Sequence, residues 1–212
     1  MAYDLEEQES IDQMKAWWEK WGTPITAAVC VVCFSFAGWN GWQWWQRKQA
    51  DEAAMMFAQY QQAVMAQNTT QMQSLAANVL QEYAGTIYAP MTAMTQALVE
   101  RKAGNIDGAI QQLQWIVQQE KHPEYDTVIR VRLASLFLEQ QKFDQALQSL
   151  EAAKPTVRQE VLVRDRMADV YFAKGDVQQA KAIWQELLAR SDIQNHPLMR
   201  LIELKLSNIA TN

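Results

Sequence analysis

The chain has 212 residues, a formal net charge of -5, two cysteines and two histidines. This length holds one ordinary domain and an appendage. The acidic balance, without a basic stripe, argues against nucleic acid as a partner, and so few cysteines and histidines argue against a disulfide framework or a metal centre. Apolar and polar residues nowhere alternate over the length of a strand, so we expect an all-α protein.

Residues 1-22 are predicted to form an acidic tail that contains a short amphipathic helix. Apolar side chains recur every three or four residues from Ile11 to Trp21, which is the spacing of one helix face. Tryptophan concentrates at the headgroup boundary of membranes, so we expect Trp17, Trp18 and Trp21 at a membrane interface. A floppy tail with incidental tryptophans is the alternative.

Residues 23-46 are predicted to form a transmembrane signal anchor. No charged residue lies between Lys20 and Arg47, and the stretch from Ile25 to Trp39 is almost wholly apolar. A helix needs about 20 residues to cross the hydrocarbon core, and aromatic belts with basic caps mark its two ends. The second interface would carry three further tryptophans, Trp42, Trp44 and Trp45.

Two properties of this anchor stay open from the residues alone. Residues 35-37 (Ser-Phe-Ala) resemble a cleavage site, so a signal peptide that releases a soluble secreted module is the main rival; the long acidic amino-terminal region argues against it. Lys15 and Lys20 balance Arg47 and Lys48, so the positive-inside rule does not decide the orientation. A short tail, one span and a large following domain favour an amino terminus on the inside.

Residues 47-212 are expected to form one domain of stacked helical hairpins. Residues 49-84 are predicted to form two helices joined by a turn at 67-70, a degenerate opening hairpin of the kind that begins a solenoid. At the other end, apolar residues at helical spacing predict a capping helix over 197-209.

Three clearer hairpins are predicted between these ends, at about residues 90-123, 127-160 and 161-194. Each carries two alanines twelve residues apart, and the last two hairpins are offset by 34 residues, the tetratricopeptide (TPR) period. Small residues let two helices approach to about 8–10 Å, and a large residue four positions after the second alanine reaches into the next hairpin. The alanine pairs are Ala97 and Ala109, Ala134 and Ala146, and Ala168 and Ala180, and the large residues are Leu113, Leu150 and Trp184.

The turns inside these hairpins also follow a pattern. Gly104 and Gly175 suit the left-handed residue that ends a first helix. Asn105 and Asp176 follow them directly and suit the N-cap of the second helix. Gln141 stands in the glycine position of the middle hairpin and is the exception. The fold that we expect is a single transmembrane helix followed by a TPR-like α-solenoid.

The sequence offers no catalytic motif. His122 and His196 each precede a proline and belong in loops, and neither a glycine-rich phosphate loop nor a nucleophile elbow is present. We expect no enzyme activity, no metal and no cofactor, but a protein that works by binding. The first helices of such a stack line a groove that is mixed in charge, without a row of basic residues to bind a carboxylate. The register places in this groove Met94, Leu98, Arg101, Val131, Ser135, Asp165, Asp169 and Phe172.

The order and spacing of these features resemble the YfgM family, the ancillary subunit of the bacterial Sec translocon. The resemblance covers nearly the whole chain. It rests on the aromatic exit of the span, on the turn at residues 173-176 and on the stretch at residues 205-209. The residues that carry it are Gly38-Trp39 and Gly41-Trp42 at the exit, Ala180 and Trp184 after the turn, and Lys205-Leu206-Ser207-Asn208-Ile209.

This resemblance implies a single-pass protein of the bacterial inner membrane, with a cytoplasmic amino terminus and a periplasmic repeat domain. It also implies inner-membrane lipid around the span, association with the SecYEG translocon and with a PpiD-like periplasmic chaperone, and a role in handing over translocated polypeptides. A membrane-anchored TPR adaptor for envelope assembly or cell division, without translocon contact, is the alternative. Whether the chain forms a homodimer through its groove or its span stays open.

Overall fold

Helices make up the regular structure of the residues that the structure describes. A computed structural model describes residues 2-190, 192 and 196-210, and the side chains of residues 11-190, 192 and 196-209 within them. The predicted segment ends at residues 1, 194 and 212 lie outside this range. The described residues contain no strand, which confirms the all-α prediction. Their helices are α1 (Ala2–Met65), α2 (Thr69–Glu82), α3 (Tyr88–Lys102), α4 (Ile106–Gln119), α5 (Asp126–Glu139), α6 (Phe143–Glu151), α7 (Val157–Lys174), α8 (Val177–Ala189) and α9 (Met199–Ala210), with a short 3-10 helix at Pro123–Tyr125.

The chain divides into two compact units, Met1–Asp51 and Glu52–Asn212. The sequence predicts the start of the repeat domain at residue 47, whereas the second unit begins a few residues later. The change coincides with the first fully buried side chain of this region, Ala53. α1 contributes to both units, so no loop separates them along the chain.

The first unit consists of one helix, where the sequence predicts a short helix and a separate span. Pro24 lies inside this helix and lacks the backbone N–H that would continue the hydrogen-bond ladder. Two residues after Pro24, the Thr26 hydroxyl donates to the Gly22 carbonyl at 2.7 Å. Ser35 and Asn40 likewise donate to backbone carbonyls one turn earlier. These three side-chain polar groups are thus satisfied within the helix itself, as a hydrocarbon environment would require.

The second unit is built on the three predicted hairpins. α3 packs on α4, α5 on α6, and α7 on α8, and each hairpin also contacts the next one through α4 with α5 and α6 with α7. All six repeat alanines are at most 5% exposed, which fits their predicted place at the helix crossings. Leu113, Leu150 and Trp184 are buried as well. The TPR-like α-solenoid is confirmed.

The opening hairpin combines the end of α1 with α2. Its side chains form a hydrophobic cluster of their own, to which α3 adds partly buried residues. The Tyr60 hydroxyl donates to Gln96 Oε1 on α3 at 2.9 Å, and the ring of Phe57 lies 5.7 Å from that of Tyr88. This hairpin therefore covers the apolar face of the first TPR-like repeat. The cluster consists of Phe57, Tyr60, Ala63, Met72 and Ala76.

At the other end, α9 is fixed to α7 and α8 by a buried ion network as well as by apolar contacts. Lys205 Nζ lies 2.8 Å from Asp165 Oδ1 and 2.7 Å from Asp169 Oδ1. Trp184 Nε1 donates to Asp165 Oδ1 at 2.8 Å, and Asp165 is only 4% exposed. Burial raises the pKa of Asp169, and the hydrogen bond from Lys205 opposes that rise. Ile202 of α9 is fully buried in the same region.

The hairpin turns show the expected left-handed residues. Gly104 has φ 83° and Gly175 has φ 97°, and Gln141 in the equivalent place has φ 59°. A non-glycine residue therefore adopts the same strained conformation in the middle hairpin. Asn105 and Asp176 are the N-cap residues of α4 and α8, as predicted. The Asn105 side chain accepts from the backbone N–H of Gly108, whereas the Asp176 side chain makes no such hydrogen bond.

We predict that Gln141→Gly raises the free energy of unfolding by about 0.5–1 kcal/mol. The left-handed conformation costs a residue with a Cβ roughly 1–2 kcal/mol, and the larger entropy of unfolded glycine removes part of the gain. Urea unfolding of the full chain in detergent, followed by far-ultraviolet circular dichroism, measures the difference.

The control for this variant is Gln148→Gly, at an exposed position inside α6. There the backbone is helical and glycine brings only an entropic penalty, so the variant should lose about 1 kcal/mol. Changes of the same sign in both variants would contradict the role assigned to the left-handed turn.

We also predict that Lys205→Met lowers the free energy of unfolding by about 3 kcal/mol at neutral pH, because it leaves a buried carboxylate without its cation. The folded-state pKa of Asp169 is already raised, so protonation stabilises the fold as the pH falls through that pKa. Loss of the opposing hydrogen bond enlarges this effect. The loss of free energy of unfolding in Lys205→Met, relative to wild type, should therefore become smaller as the pH is lowered towards about 4.

Lys174→Met is the matched control, since Lys174 pairs with Asp144 at 2.9 Å on the surface. Such exposed pairs contribute little to stability, because water and salt screen both charges. Denaturant unfolding at several pH values compares the two variants. Equal losses would show that the network beneath α9 contributes no more than a surface ion pair.

Candidate functional site

An open cavity of about 830 Å³ lies within the second unit, on the first helices of the hairpins. Its volume falls in the range of about 300–1,000 Å³ that is usual for binding pockets. The end of α1 contributes one wall, α3 and α5 the centre, and α7 a single side chain. The apolar part is formed chiefly by Phe57, Met91, Met94 and Leu98, and the charged part by Arg101, Arg132, Glu139 and Arg166.

Half of the predicted groove residues lie in this cavity. Met94, Leu98 and Arg101 on α3 and Ser135 on α5 line it. Leu98 is 49% exposed, so about half of its side chain is accessible from the cavity side. These four side chains are therefore open to a guest.

The other four predicted residues are placed elsewhere. Val131 and Asp165 are 5% and 4% exposed and lie in the interior. Asp169 is held by Lys205 at 2.7 Å. Phe172 is exposed, with its ring 6.2 Å from that of Trp184, but it does not line the cavity.

Two cavity residues, Arg132 and Arg166, are absent from the sequence prediction. Each lies two residues before a repeat alanine, Ala134 or Ala168. The predicted groove residues lie three residues before, one residue after or four residues after such an alanine, so this position was not included. The expectation of a groove without a row of basic residues is wrong, because both arginines line the cavity together with Arg101. Their shared register position is the signal that would have identified them.

The three arginines differ in how far they are neutralised. Arg101 Nη2 lies 2.6 Å from Glu139 Oε1, and the hydrogen bond to Glu139 raises the pKa of Arg101. Arg166 Nη1 is 3.4 Å from Asp169 Oδ2, and its buried Nε has no hydrogen-bond partner in the part of the chain that the structure describes. The cavity therefore holds one complete ion pair and a guanidinium group with spare hydrogen-bonding capacity.

A hydrogen-bond chain stiffens the wall that α1 contributes. Tyr60 is fully buried and donates to Gln96 Oε1 at 2.9 Å, and Gln96 Nε2 donates to Glu100 Oε1 at 3.0 Å. Burial raises the pKa of Tyr60 to about 12, and the nearby charge of Glu100 adds to the rise. The ring of Phe57, which faces the cavity, lies 6.3 Å from that of Tyr60.

The predicted membrane interfaces lie on the first unit. α1 is the one helix in the described residues that is long and apolar enough to cross a membrane. At 1.5 Å per residue, Trp21 and Trp42 are about 32 Å apart along it, close to the thickness of about 30 Å of the hydrocarbon core. This spacing indicates a membrane-anchoring helix. All six interface tryptophans are exposed, namely Trp17, Trp18, Trp21, Trp42, Trp44 and Trp45.

The two histidines occupy loops without forming a metal site. His122 is buried before the 3-10 helix, and its Nε2 lies 3.0 Å from the Ala84 carbonyl oxygen. His196 Nδ1 accepts from the Leu198 N–H at 3.3 Å. Within the described residues, no three histidine, cysteine, aspartate or glutamate side chains come together in a metal-binding arrangement.

Comparisons with known proteins extend over both units. A family model described as a tetratricopeptide repeat-like domain matches residues 15–211. The chain is 26% identical over 212 residues to a Neisseria gonorrhoeae protein named "Ancillary SecYEG translocon subunit", covering 99% of this chain and 100% of that protein. It is 27% identical over 194 residues to a Haemophilus influenzae protein of the same name, covering 88% and 90%. No solved structure matches. These names confirm the family resemblance drawn from the sequence.

We predict that Tyr60→Phe lowers the free energy of unfolding by about 1–2 kcal/mol, because it leaves the Gln96 oxygen without its buried donor. The raised pKa of Tyr60 means that the folded wild type loses stability as the pH rises above about 10, and the phenylalanine variant lacks this loss. The difference in free energy of unfolding between wild type and Tyr60→Phe should therefore become smaller above about pH 10.

Tyr83→Phe is the control, because Tyr83 is only partly buried and its hydroxyl donates to Glu52 at 3.3 Å. We expect a change in the free energy of unfolding that is much smaller than that of Tyr60→Phe, because water can replace the lost hydrogen bond. Urea unfolding across a pH series distinguishes the variants, and equal effects would argue against a structural role for the Tyr60 hydroxyl.

Proposed function

We propose, from the premise that this chain belongs to the tetratricopeptide repeat-like domain family, that it is a non-enzymatic ancillary subunit of the Sec translocon. One observation carries the proposal. Two relatives with that name align with 99% and 88% of the chain, and the alignment over 99% includes the membrane-anchoring helix as well as the repeats. Similarity over the repeat domain alone would support only a shared fold. Similarity over the membrane anchor and the domain together supports a shared location at the membrane and a shared role.

The membrane helix gives the chain a means to stay beside a membrane channel. Its exposed apolar side chains cannot be buried by one helix alone, so lipid or another membrane helix has to cover them. We infer that this segment lies in the inner membrane next to SecYEG, with the amino terminus in the cytoplasm and the repeat domain in the periplasm. The orientation is taken from the family resemblance.

The groove gives the chain a means to hold a second protein. Leu98 and Met94 present apolar surface between charged side chains, a composition that suits a protein segment better than a small metabolite. In this proposal the groove holds a periplasmic chaperone of the PpiD type close to the channel exit. The chain then acts as a scaffold, because emerging polypeptides meet the chaperone without a diffusional search.

The first test is an affinity purification of the full chain from its native membranes in mild detergent, followed by mass spectrometry. Translocon subunits and a PpiD-like chaperone should copurify in near-stoichiometric amounts. Leu98→Ala should reduce recovery of the chaperone several-fold, because the apolar anchor is lost, and leave translocon recovery unchanged. Leu204→Ala, at an exposed leucine that does not line the cavity, is the control and should change neither.

Two outcomes would count against the proposal. Recovery of envelope-assembly or division proteins, with translocon subunits at background, would favour an adaptor without translocon contact. Recovery of translocon subunits without a periplasmic chaperone, in wild type and both variants, would leave the scaffold role and the periplasmic orientation unsupported.

A further inference from the structure

Arg132 and Arg166 hold equivalent positions in successive repeats. Each stands two positions before a repeat alanine, and they are 34 residues apart, one repeat period. Equivalent positions of successive repeats are neighbours on one face of a solenoid. Both side chains line the same cavity, Arg132 from α5 and Arg166 from α7. Two guanidinium groups thus face one opening.

Neither the Arg132 nor the Arg166 guanidinium group is fully paired with acidic side chains among the described residues. Arg132 is exposed and has no hydrogen-bond or ion-pair partner among the described residues. Arg166 shares Asp169 with Lys205, which is nearer to that carboxylate at 2.7 Å than Arg166 is at 3.4 Å. The third arginine of the cavity, Arg101, is already paired with Glu139. The unmatched donors are therefore concentrated on α5 and α7.

Apolar side chains lie next to these donors. Leu98 and Met94 on α3 line the same cavity, and Phe57 on α1 continues the apolar wall. A guest that contacts both parts needs carboxylates and apolar side chains within one short segment. Guanidinium groups bind carboxylates with two parallel hydrogen bonds, so this combination recognises a chemical class.

We propose that the groove selects a polypeptide segment whose acidic side chains alternate with apolar ones, with Arg132 and Arg166 as its carboxylate-binding residues. This inference rests on the proposed function, in which the groove holds a protein segment, and adds the chemistry of that segment. Acidic side chains fit better than a terminal carboxylate, because the two donors belong to successive repeats and the cavity is open to a chain that continues past them.

The net charge of the chain works against such a guest at long range. At a formal net charge of -5, the protein as a whole repels an acidic segment. Attraction is confined to the groove and acts within the Debye length of about 8 Å at physiological salt. Recognition therefore depends on short-range pairing with the arginines, and single substitutions should affect it strongly.

The test uses the full chain in detergent and a fluorescein-labelled, carboxyl-amidated peptide of about twelve residues, in which leucines and glutamates share one amphipathic pattern. A second amidated peptide carries glutamine in place of every glutamate. A third is the glutamine peptide with a free carboxyl terminus. Fluorescence anisotropy measures each dissociation constant for wild type, Arg132→Gln, Arg166→Gln and the control Arg158→Gln. Arg158 is exposed on the same helix as Arg166 but does not line the cavity.

We expect the glutamate peptide to bind wild type about tenfold more tightly than the glutamine peptide. Arg132→Gln and Arg166→Gln should each weaken glutamate-peptide binding about tenfold and leave glutamine-peptide binding unchanged. Arg158→Gln should stay within about twofold of wild type. Circular dichroism shows whether each variant is folded, and Arg132, which is exposed, offers the substitution with the least effect on stability.

Equal affinities for the glutamate and glutamine peptides would overturn this proposal, and so would arginine variants that bind both like wild type. If only the glutamine peptide with a free carboxyl terminus bound tightly, the groove would recognise a terminal carboxylate and not acidic side chains, and this proposal would be wrong. The copurification experiment does not depend on these peptides. Translocon recovery together with a failed peptide test would refute only the groove chemistry, whereas failure of both would refute the proposed function as well.

Discussion

The close approach of two helices at paired alanines is the constraint on which the rest of the second unit depends. At each crossing the side chains are almost fully buried, so a larger residue would have to push the helices apart. The large residues that follow the second alanine are buried as well, and their positions depend on that crossing. Because each hairpin shares its apolar face with its neighbour, the geometry of the groove is set by small residues at the helix crossings.

The backbone of this domain follows largely from local rules that the sequence displays. A fixed period and turn glycines at equivalent places predict the hairpins, and Gly104 and Gly175 adopt the expected left-handed conformation. Gln141 shows the limit of such rules, because the packing of its hairpin imposes the same conformation on a residue that does not favour it. The continuity of α1 is not predicted by these rules either, because the sequence predicts a short helix and a separate span where the structure has one helix that contains Pro24.

The groove could be predicted only in part, because register alone does not decide what a side chain faces. Met94, Val131 and Asp165 hold equivalent positions, yet only Met94 lines the cavity. Asp165 is covered by Trp184 and by Lys205 on α9, a contact between residues far apart in sequence. Arg132 and Arg166, one position after Val131 and Asp165, line the cavity although their register position did not predict it. Where a side chain ends depends on neighbours contributed by other repeats, and a single repeat does not contain that information.

The network beneath α9 has a consequence for the order in which the chain acquires its structure during synthesis. Asp165 and Lys205 are separated by 40 residues. Until that length has been made, the third hairpin holds a carboxylate that has no cation to accompany it into the interior, and an indole that α9 does not yet cover. The earlier hairpins are complete without this contact and can pack as they appear. The third hairpin instead reaches its final packing only after α9 has been made. During synthesis the amino-terminal repeats are therefore packed while the last repeat is not yet stable.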